Sequence, residues 1–254
     1  MNAHTGQSDH QVVKMDGPLP DPNPGVFETM LVVEGLPVEL DAHLARLEAS
    51  LGELFGLSLP ADARDLVFAS AADTALGRLR LDVSPNQGNS VRVADVDAAI
   101  VFPSFEHALE LALVAVPGGI GAHKWADRRL LEQAESDAAA AMPLILDAGD
   151  RALLESSRGS LFVVRDGVLW TPPADGRLLP GVTRARVIEV AGGAGIEVRQ
   201  ENLSVQRLLE ADEAFTTGAV RGVEPVGAVR GLRRWDEGEL TPRISAELRS
   251  LWFG

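Results

Sequence analysis

Stretches with strand and helix character alternate along the 254 residues, which predicts a mixed α/β (α+β) fold in two domains. Two further observations support this class. The chain is 46% hydrophobic, enough for a full core, and Pro117-Gly118-Gly119-Ile120-Gly121 interrupts its middle with backbone that either links domains or approaches something closely. The expected divisions are an N-terminal arm over 1–25, a small α/β domain over 26–117, a linker over 118–122 and a larger domain over 123–254.

Residues 1–25 hold Gly17, Pro18, Pro20, Pro22, Pro24 and Gly25 among polar residues, a composition that favours a mobile arm with an extended lead-in. Residues 26–33 are apolar and β-branched enough for a strand, and Glu34-Gly35-Leu36-Pro37 turns the chain back into 38–40. Asp41 is placed to cap a helix carrying Leu44, Leu47, Leu51, Leu54 and Phe55 at helical spacing, with His43 and Arg46 on one side. A second amphipathic helix is expected over 61–75. Leu79, Leu81 and Val83 then alternate with Arg78, Arg80 and Asp82, the period of a half-buried strand with both arginines on one face. After a turn over 84–89, short strands are expected at 91–93 and 98–102 and a longer one at 109–116. Lys124 is then expected to open a helix running through Leu130, Leu131 and Ala134 to about residue 141.

The second half reads as strands at 143–147, 152–155, 161–164 and 168–171. A helix starts at Pro180-Gly181-Val182-Thr183 and ends at Gly192-Gly193. A strand at 196–200, a helix at 204–211, a strand at 213–217 and a strand-rich return over 218–231 follow. Thr241-Pro242 is a cap and first-turn pair for a last helix.

Composition excludes several chemistries. With no cysteine, disulfides, thiol nucleophiles, zinc–thiolate sites and iron–sulfur clusters are ruled out, and a reducing, cytoplasmic location is expected. A formal net charge of -14 argues against nucleic acid or an anionic membrane as partner. No apolar run is long enough to span a bilayer, and the N-terminus does not read as a leader. Of the 23 basic residues, only Lys14 and Lys124 are lysines. A lysine can lose its proton when partly desolvated and can condense with a carbonyl; an arginine does neither near neutral pH.

Local features fit around Lys124. Gly181, Val182 and Thr183 lie at a helix N-terminus, where unpaired N–H groups and the dipole favour a phosphate. Thr217-Gly218-Ala219 ends a strand in small residues suited to a second phosphate-holding loop, and Glu155 ends an apolar strand before Ser156-Ser157-Arg158-Gly159. Each has a plain structural explanation alone. A lysine, a carboxylate, two phosphate cradles and an arginine together are what pyridoxal 5′-phosphate requires: an amine for its aldehyde, a partner for its ring nitrogen, and donors for its phosphate.

The order of these residues resembles the class IV, D-amino-acid-aminotransferase-like (fold type IV) family of pyridoxal-phosphate enzymes. The matching stretches are Gly25-Val26-Phe27-Glu28-Thr29, His43-Leu44-Ala45-Arg46-Leu47, Lys124 with Arg128, Glu155 through Leu161-Phe162, Leu179-Pro180-Gly181-Val182-Thr183-Arg184, and Asp212-Glu213-Ala214-Phe215 through Arg221-Gly222-Val223-Glu224-Pro225-Val226. Within the family, His123-Lys124-Trp125-Ala126-Asp127-Arg128 and Arg221-Gly222-Val223-Glu224-Pro225-Val226 look most like 4-amino-4-deoxychorismate lyase, including lyase-like domains attached to the synthase of that pathway. The resemblance implies that Lys124 is the catalytic, cofactor-bearing lysine and Glu155 the partner of the pyridinium nitrogen. It implies that Arg46, Ser160, Gly181, Val182, Thr183, Thr217, Gly218 and Ala219 complete the cofactor site in the larger domain. It further implies a homodimer, a link to aminodeoxychorismate synthase, and conversion of 4-amino-4-deoxychorismate to 4-aminobenzoate and pyruvate for folate synthesis. A class IV aminotransferase of branched-chain or D-amino acids and a non-catalytic homologue are the alternatives. The substrate's two carboxylates call for arginine, and Arg78, Arg80 and Arg221 are the candidates.

The chain departs from the family pattern at Asn23-Pro24-Gly25, where Gly-Asp-Gly is usual after a longer lead-in, so incomplete first strands are expected. Ser160 stands where Asn is usual, and Ala219 where Ser or Thr is common. The chain has no tyrosine, which leans against a branched-chain aminotransferase.

Overall fold

The computed structural model describes residues 12–15, 17 and 19–254. In chain order its elements are β1 (Val13–Lys14), β2 (Val26–Val33), β3 (Leu36–Pro37), α1 (Leu40–Phe55), α2 (Ala63–Ala71), β4 (Leu76–Ser84), β5 (Gly88–Asp95) and β6 (Leu109–Val116). Then come α3 (Arg129–Asp137), β7 (Met142–Asp147), β8 (Leu153–Ser156), β9 (Gly159–Arg165), β10 (Val168–Thr171), α4 (Val182–Gly193) and β11 (Val198–Gln200). The chain finishes with α5 (Val205–Leu209), β12 (Glu213–Gly218), β13 (Gly222–Val229), β14 (Arg233–Arg234) and α6 (Leu240–Phe253). The mixed class expected from the sequence is what the chain forms. Among the described residues no helix is long and apolar enough to cross a membrane.

Two sheets carry the fold. The smaller is four-stranded and antiparallel in the order β3-β2-β4-β5, with α1 and α2 sealing one face. The alternation read in β4 is real: Leu79, Leu81 and Val83 are buried, while Arg78 is exposed and Arg80 partly so. Helix α1 has no side-chain cap, a loss worth about 1 kcal/mol. It buries Leu44, Leu47 and Leu51, each worth about 1.5–3 kcal/mol, so packing decides this helix. Asp41, expected as the cap, sits inside the first turn, and its carboxylate pairs with Arg64.

In the larger sheet, β6-β7-β8-β9-β12-β13 are paired in sequence and β13 pairs back to β6, closing a ring. Strand β6 shows why these strands read as unbroken apolar runs. Leu111, Leu113 and Ala115 enter one core cluster, whereas Val114 and Val116 enter another with Ile145, Leu154 and Leu130.

Several expectations need correction. Strand β6 belongs to the larger sheet, so the chain passes from one sheet to the other between Asp95 and Leu109, ahead of the glycine-rich 118–122 stretch. Within that stretch Gly119 serves close approach: it has φ 74°, and a Cβ there would lie 2.2 Å from the Arg177 carbonyl oxygen. The expected strand at 98–102 is a 3-10 turn over Ala98–Ile100, because the Asp97 carboxylate accepts from the Ala99 N–H and draws the backbone round. The described part of the arm is tied down: Val13-Lys14 pairs in parallel with β6, and Met15 N–H donates to the Ala115 carbonyl. Most of the rest of the arm, 1–11, lies outside the described residues.

Candidate active site

A cavity of about 670 Å³ lies between the two sheets, and Lys124 lines it. The lysine is not in a helix as expected. Phe27 N–H donates to the Lys124 carbonyl at 2.9 Å and Ala126 N–H donates to the Gly25 carbonyl at 2.9 Å, so residues 124–126 are extended against the start of β2, and α3 begins only at Arg129. Gly25 is required there: its φ is 92°, and a Cβ would lie 2.1 Å from the Val83 carbonyl oxygen. The ammonium lies 5.0 Å from the Phe27 ring centroid, and Arg80 covers that ring at 3.6 Å. Burial, then the nearby Arg46 guanidinium, lower the Lys124 pKa to about 8.

Glu155 on β8 is buried, and its Oε1 accepts from Leu179 N–H at 3.1 Å. Burial raises its pKa to about 7 against the opposing pull of that hydrogen bond, Lys124 and Arg46. Arg46, on α1, is clamped by Glu28: Nε donates to Oε1 at 2.7 Å and Nη2 to Oε2 at 2.6 Å, while Nη1 reaches across to the Pro180 carbonyl at 3.0 Å. His43 Nδ1 lies 2.8 Å from the same carboxylate. Burial alone would raise the Glu28 pKa, but Arg46 and His43 outweigh it and hold it at about 2. Sequence reasoning gave Glu28 no role, although a carboxylate inside the apolar run Val26–Val33 is itself a signal that a cation comes to meet it.

Helix α4 starts with no side-chain cap at Gly181, leaving the first-turn N–H groups of Val182 and Thr183 without intrahelical carbonyls. A Cβ on Gly181 would lie 2.5 Å from Ser160 Oγ, so glycine keeps open the space between that hydroxyl and the helix end. Thr217 Oγ1 is buried without a hydrogen-bond partner among the described residues. Two hydroxyls, a helix N-terminus and Arg46 thus converge on the cavity, the donor set a phosphate monoester needs.

Of the expected site residues, Lys124, Arg46, Glu155, Ser160, Gly181, Val182, Thr183, Thr217 and Ala219 line this one cavity, together with Arg78, Arg80 and Arg221. Gly218 does not; it pairs with Gly222 at the end of β12. Arg80 and Arg221 are already engaged, by Asp82 at 2.6 Å and Glu224 at 2.6 Å. Arg78 is exposed and has no carboxylate partner among the described residues. The cavity also takes in Arg128, Arg158 and Glu135, to which sequence reasoning gave no site role.

The profile of the family described as "Amino-transferase class IV" matches residues 25–229. A branched-chain-amino-acid aminotransferase of Arabidopsis thaliana is 47% identical over 79 residues, 31% of this chain and 19% of the relative. The matched part spans a fifth to a third of the first such relatives. Among solved structures, a hypothetical aminotransferase from Mycobacterium tuberculosis in its PLP-bound form has a TM-score of 0.78 at 22% identity, covering 93% of this chain and 94% of that one. A Legionella pneumophila protein carrying a provisional designation as a 4-amino-4-deoxychorismate lyase has a TM-score of 0.76 at 18% identity, covering 94% and 99%.

Proposed function

The chain belongs to the class IV amino-transferase family, and from that premise we propose that it is a lyase converting 4-amino-4-deoxychorismate to 4-aminobenzoate and pyruvate. The cofactor is pyridoxal 5′-phosphate, and the donor set around Lys124 fits it. When bound, it supplies an electron sink for the bond broken next to the substrate nitrogen. Lys124 Nζ is the amine that holds its aldehyde, and with a pKa of about 8 the same nitrogen takes and returns a proton near neutral pH. The Glu155 carboxyl, buried in the cavity wall, would pair with the ring nitrogen and keep it protonated. Arg46, the Val182 and Thr183 N–H groups, Ser160 and Thr217 would hold the phosphate, and Ile120, Trp125 and Leu131 give the cavity apolar wall. A homodimer and an association with aminodeoxychorismate synthase belong to the same proposal, as does a role in folate synthesis.

The observation that carries the lyase reading is the arginine lining of the cavity. Six arginines line it beside six acidic residues; Arg46, Arg80, Arg158 and Arg221 are paired with carboxylates, and Arg78 and Arg128 make no hydrogen bond to one among the described residues. A branched aliphatic side chain calls for apolar walls, whereas a ring bearing two carboxylates calls for cations. The alternative, an aminotransferase of branched-chain or D-amino acids, is favoured by the name of the Arabidopsis relative. Cofactor-loaded protein given 4-amino-4-deoxychorismate and no keto acid is expected to release pyruvate and 4-aminobenzoate in equal amounts, followed by chromatography. Amino-group transfer to a keto acid without that release would overturn the lyase reading, and a protein that takes up no cofactor would be the non-catalytic homologue.

Gly181→Ala tests the phosphate cradle. A methyl group 2.5 Å from Ser160 Oγ must displace the hydroxyl or the helix end. Crowding of this kind costs about 1–3 kcal/mol, so cofactor affinity is expected to fall roughly 5- to 100-fold in an absorbance titration.

A further inference from the structure

Arg128 is the partly buried guanidinium in the cavity that makes no hydrogen bond to a carboxylate among the described residues; Arg78, also without a carboxylate partner, is exposed and so keeps its hydration. The Arg128 side chain is 24% exposed. The nearest carboxylate, Glu135, has its Oε1 3.6 Å from Arg128 Nη2, beyond hydrogen-bond reach. Glu135 is already satisfied: Arg158 donates Nε to Oε1 at 3.0 Å and Nη2 to Oε2 at 3.0 Å, and Ser157 Oγ donates to Oε1 at 2.9 Å. What remains to Arg128 is one long bond from Nη2 to the Ser157 carbonyl at 3.4 Å. A guanidinium offers five N–H donors, and a desolvated cation without a close counter-ion is costly. Burial is the largest influence on Arg128 and pushes its pKa down; Glu135 and Glu132 oppose that push, and Arg158 and Arg80 add to it.

Of the three arginines expected to bind substrate, two are engaged and the third, Arg78, is exposed to solvent rather than desolvated. Arg80 is held by Asp82 through Nε at 2.8 Å and Nη2 at 2.6 Å and stacked over Phe27, and Arg221 is bound to Glu224. A purely structural role for Arg128, pinning the start of α3 to the 156–159 turn, accounts for a single carbonyl contact and leaves the planar fork unused. We infer that Arg128 is the specificity-determining residue of the cavity, receiving through its guanidinium fork a substrate carboxylate remote from the amine that reacts at Lys124. The inference rests on the proposed reading of this cavity as the substrate site. It narrows the substrate class to amines that carry a second, anionic end.

The test uses cofactor-loaded full-length protein titrated calorimetrically with 4-aminobenzoate and with aniline, which lacks the carboxylate. Wild type is expected to prefer 4-aminobenzoate. Arg128→Gln is expected to weaken 4-aminobenzoate about 10- to 100-fold, the range for losing a charge-assisted bidentate contact, and to leave aniline unchanged. Arg128→Lys, which keeps the charge without the fork, should fall between the two. Absorbance of the bound cofactor in each variant confirms that the site is assembled. Equal losses for both probes, an Arg128→Gln protein with wild-type affinity for 4-aminobenzoate, or a wild type with no preference for the carboxylate would each overturn the inference. Release of pyruvate from 4-amino-4-deoxychorismate by wild type is scored separately. Its absence removes the lyase reading while the probe titration still decides Arg128, and where turnover occurs Arg128→Gln should raise KM far more than it lowers kcat.

Discussion

Lys124→Ala is expected to abolish covalent retention of pyridoxal phosphate and with it the visible absorption of the loaded protein. The sequence makes this measurement unusually clean. Only Lys14 and Lys124 carry side-chain amines, and Lys14 is exposed on the edge strand β1, so borohydride reduction followed by peptide mass analysis has just two side chains to distinguish. Label on the Lys124 peptide of the wild type, none on that peptide in Lys124→Ala, and unchanged labelling in Lys14→Ala are the expected results. Turnover in Lys124→Ala should drop at least 10²–10⁴-fold, the contribution of a positioned proton-transfer group alone. The pH dependence follows from the lowered pKa. The neutral amine is the reactive form, so cofactor uptake should rise with pH through a midpoint near 8 rather than near the 10.5 of an ordinary lysine. A midpoint at the ordinary value would remove desolvation as the source of reactivity.

Glu155→Gln is expected to separate stability from function. In the cofactor-free protein the Glu155 pKa is raised from 4.5 to about 7 by burial, so the folded state binds this proton more tightly than the unfolded state does. Between those values the unfolded state has released the proton and the folded state has kept it, so stability falls as pH rises across the window, and above about 7 the full cost of a buried carboxylate is present. Glutamine removes that cost. The variant should be more stable above pH 7 by on the order of 2–3 kcal/mol and indistinguishable below about pH 4.5, as read by denaturant unfolding at several pH values. With cofactor bound the balance reverses, since a neutral amide cannot hold the ring nitrogen protonated, and turnover should fall by orders of magnitude while cofactor uptake persists. A cofactor-free variant no more stable than wild type at pH 8 would show that Glu155 is not strained by its burial.

Helix α6 and the cavity arginines show where reading the sequence stops. Thr241-Pro242 marked the start of α6 to within two residues, but the group that caps it is the Glu213 carboxylate on β12, which accepts the N–H groups of Glu239, Leu240 and Thr241 at 2.9, 2.8 and 2.7 Å. A cap supplied from another strand leaves no mark in local spacing. Likewise, Arg80–Asp82 and Arg221–Glu224 are pairs only two and three residues apart, whereas the pairing of Arg158 with Glu135, 23 residues away, is settled by the fold. The helix expected at Lys124 failed for a related reason. Residues 124–126 have acceptable helical composition, but their backbone groups bond to Gly25 and Phe27, about a hundred positions away in the chain.

By itself the sequence determined the mixed fold class, most of the strands and helices, and a lysine that lines the cavity, Lys124. Those follow from short-range physics: side-chain period, turn chemistry, and the scarcity of lysine in a chain that uses arginine for nearly every other positive charge; the residues expected around Lys124 came from the family resemblance instead. Only the tertiary structure decided that Lys124 lies on an extended segment against β2, that Glu28 clamps Arg46, and that Glu135 spends its carboxylate on Arg158 and leaves Arg128 facing the cavity. Each depends on which charges are desolvated together, and desolvation is a property of the packed chain rather than of any stretch within it.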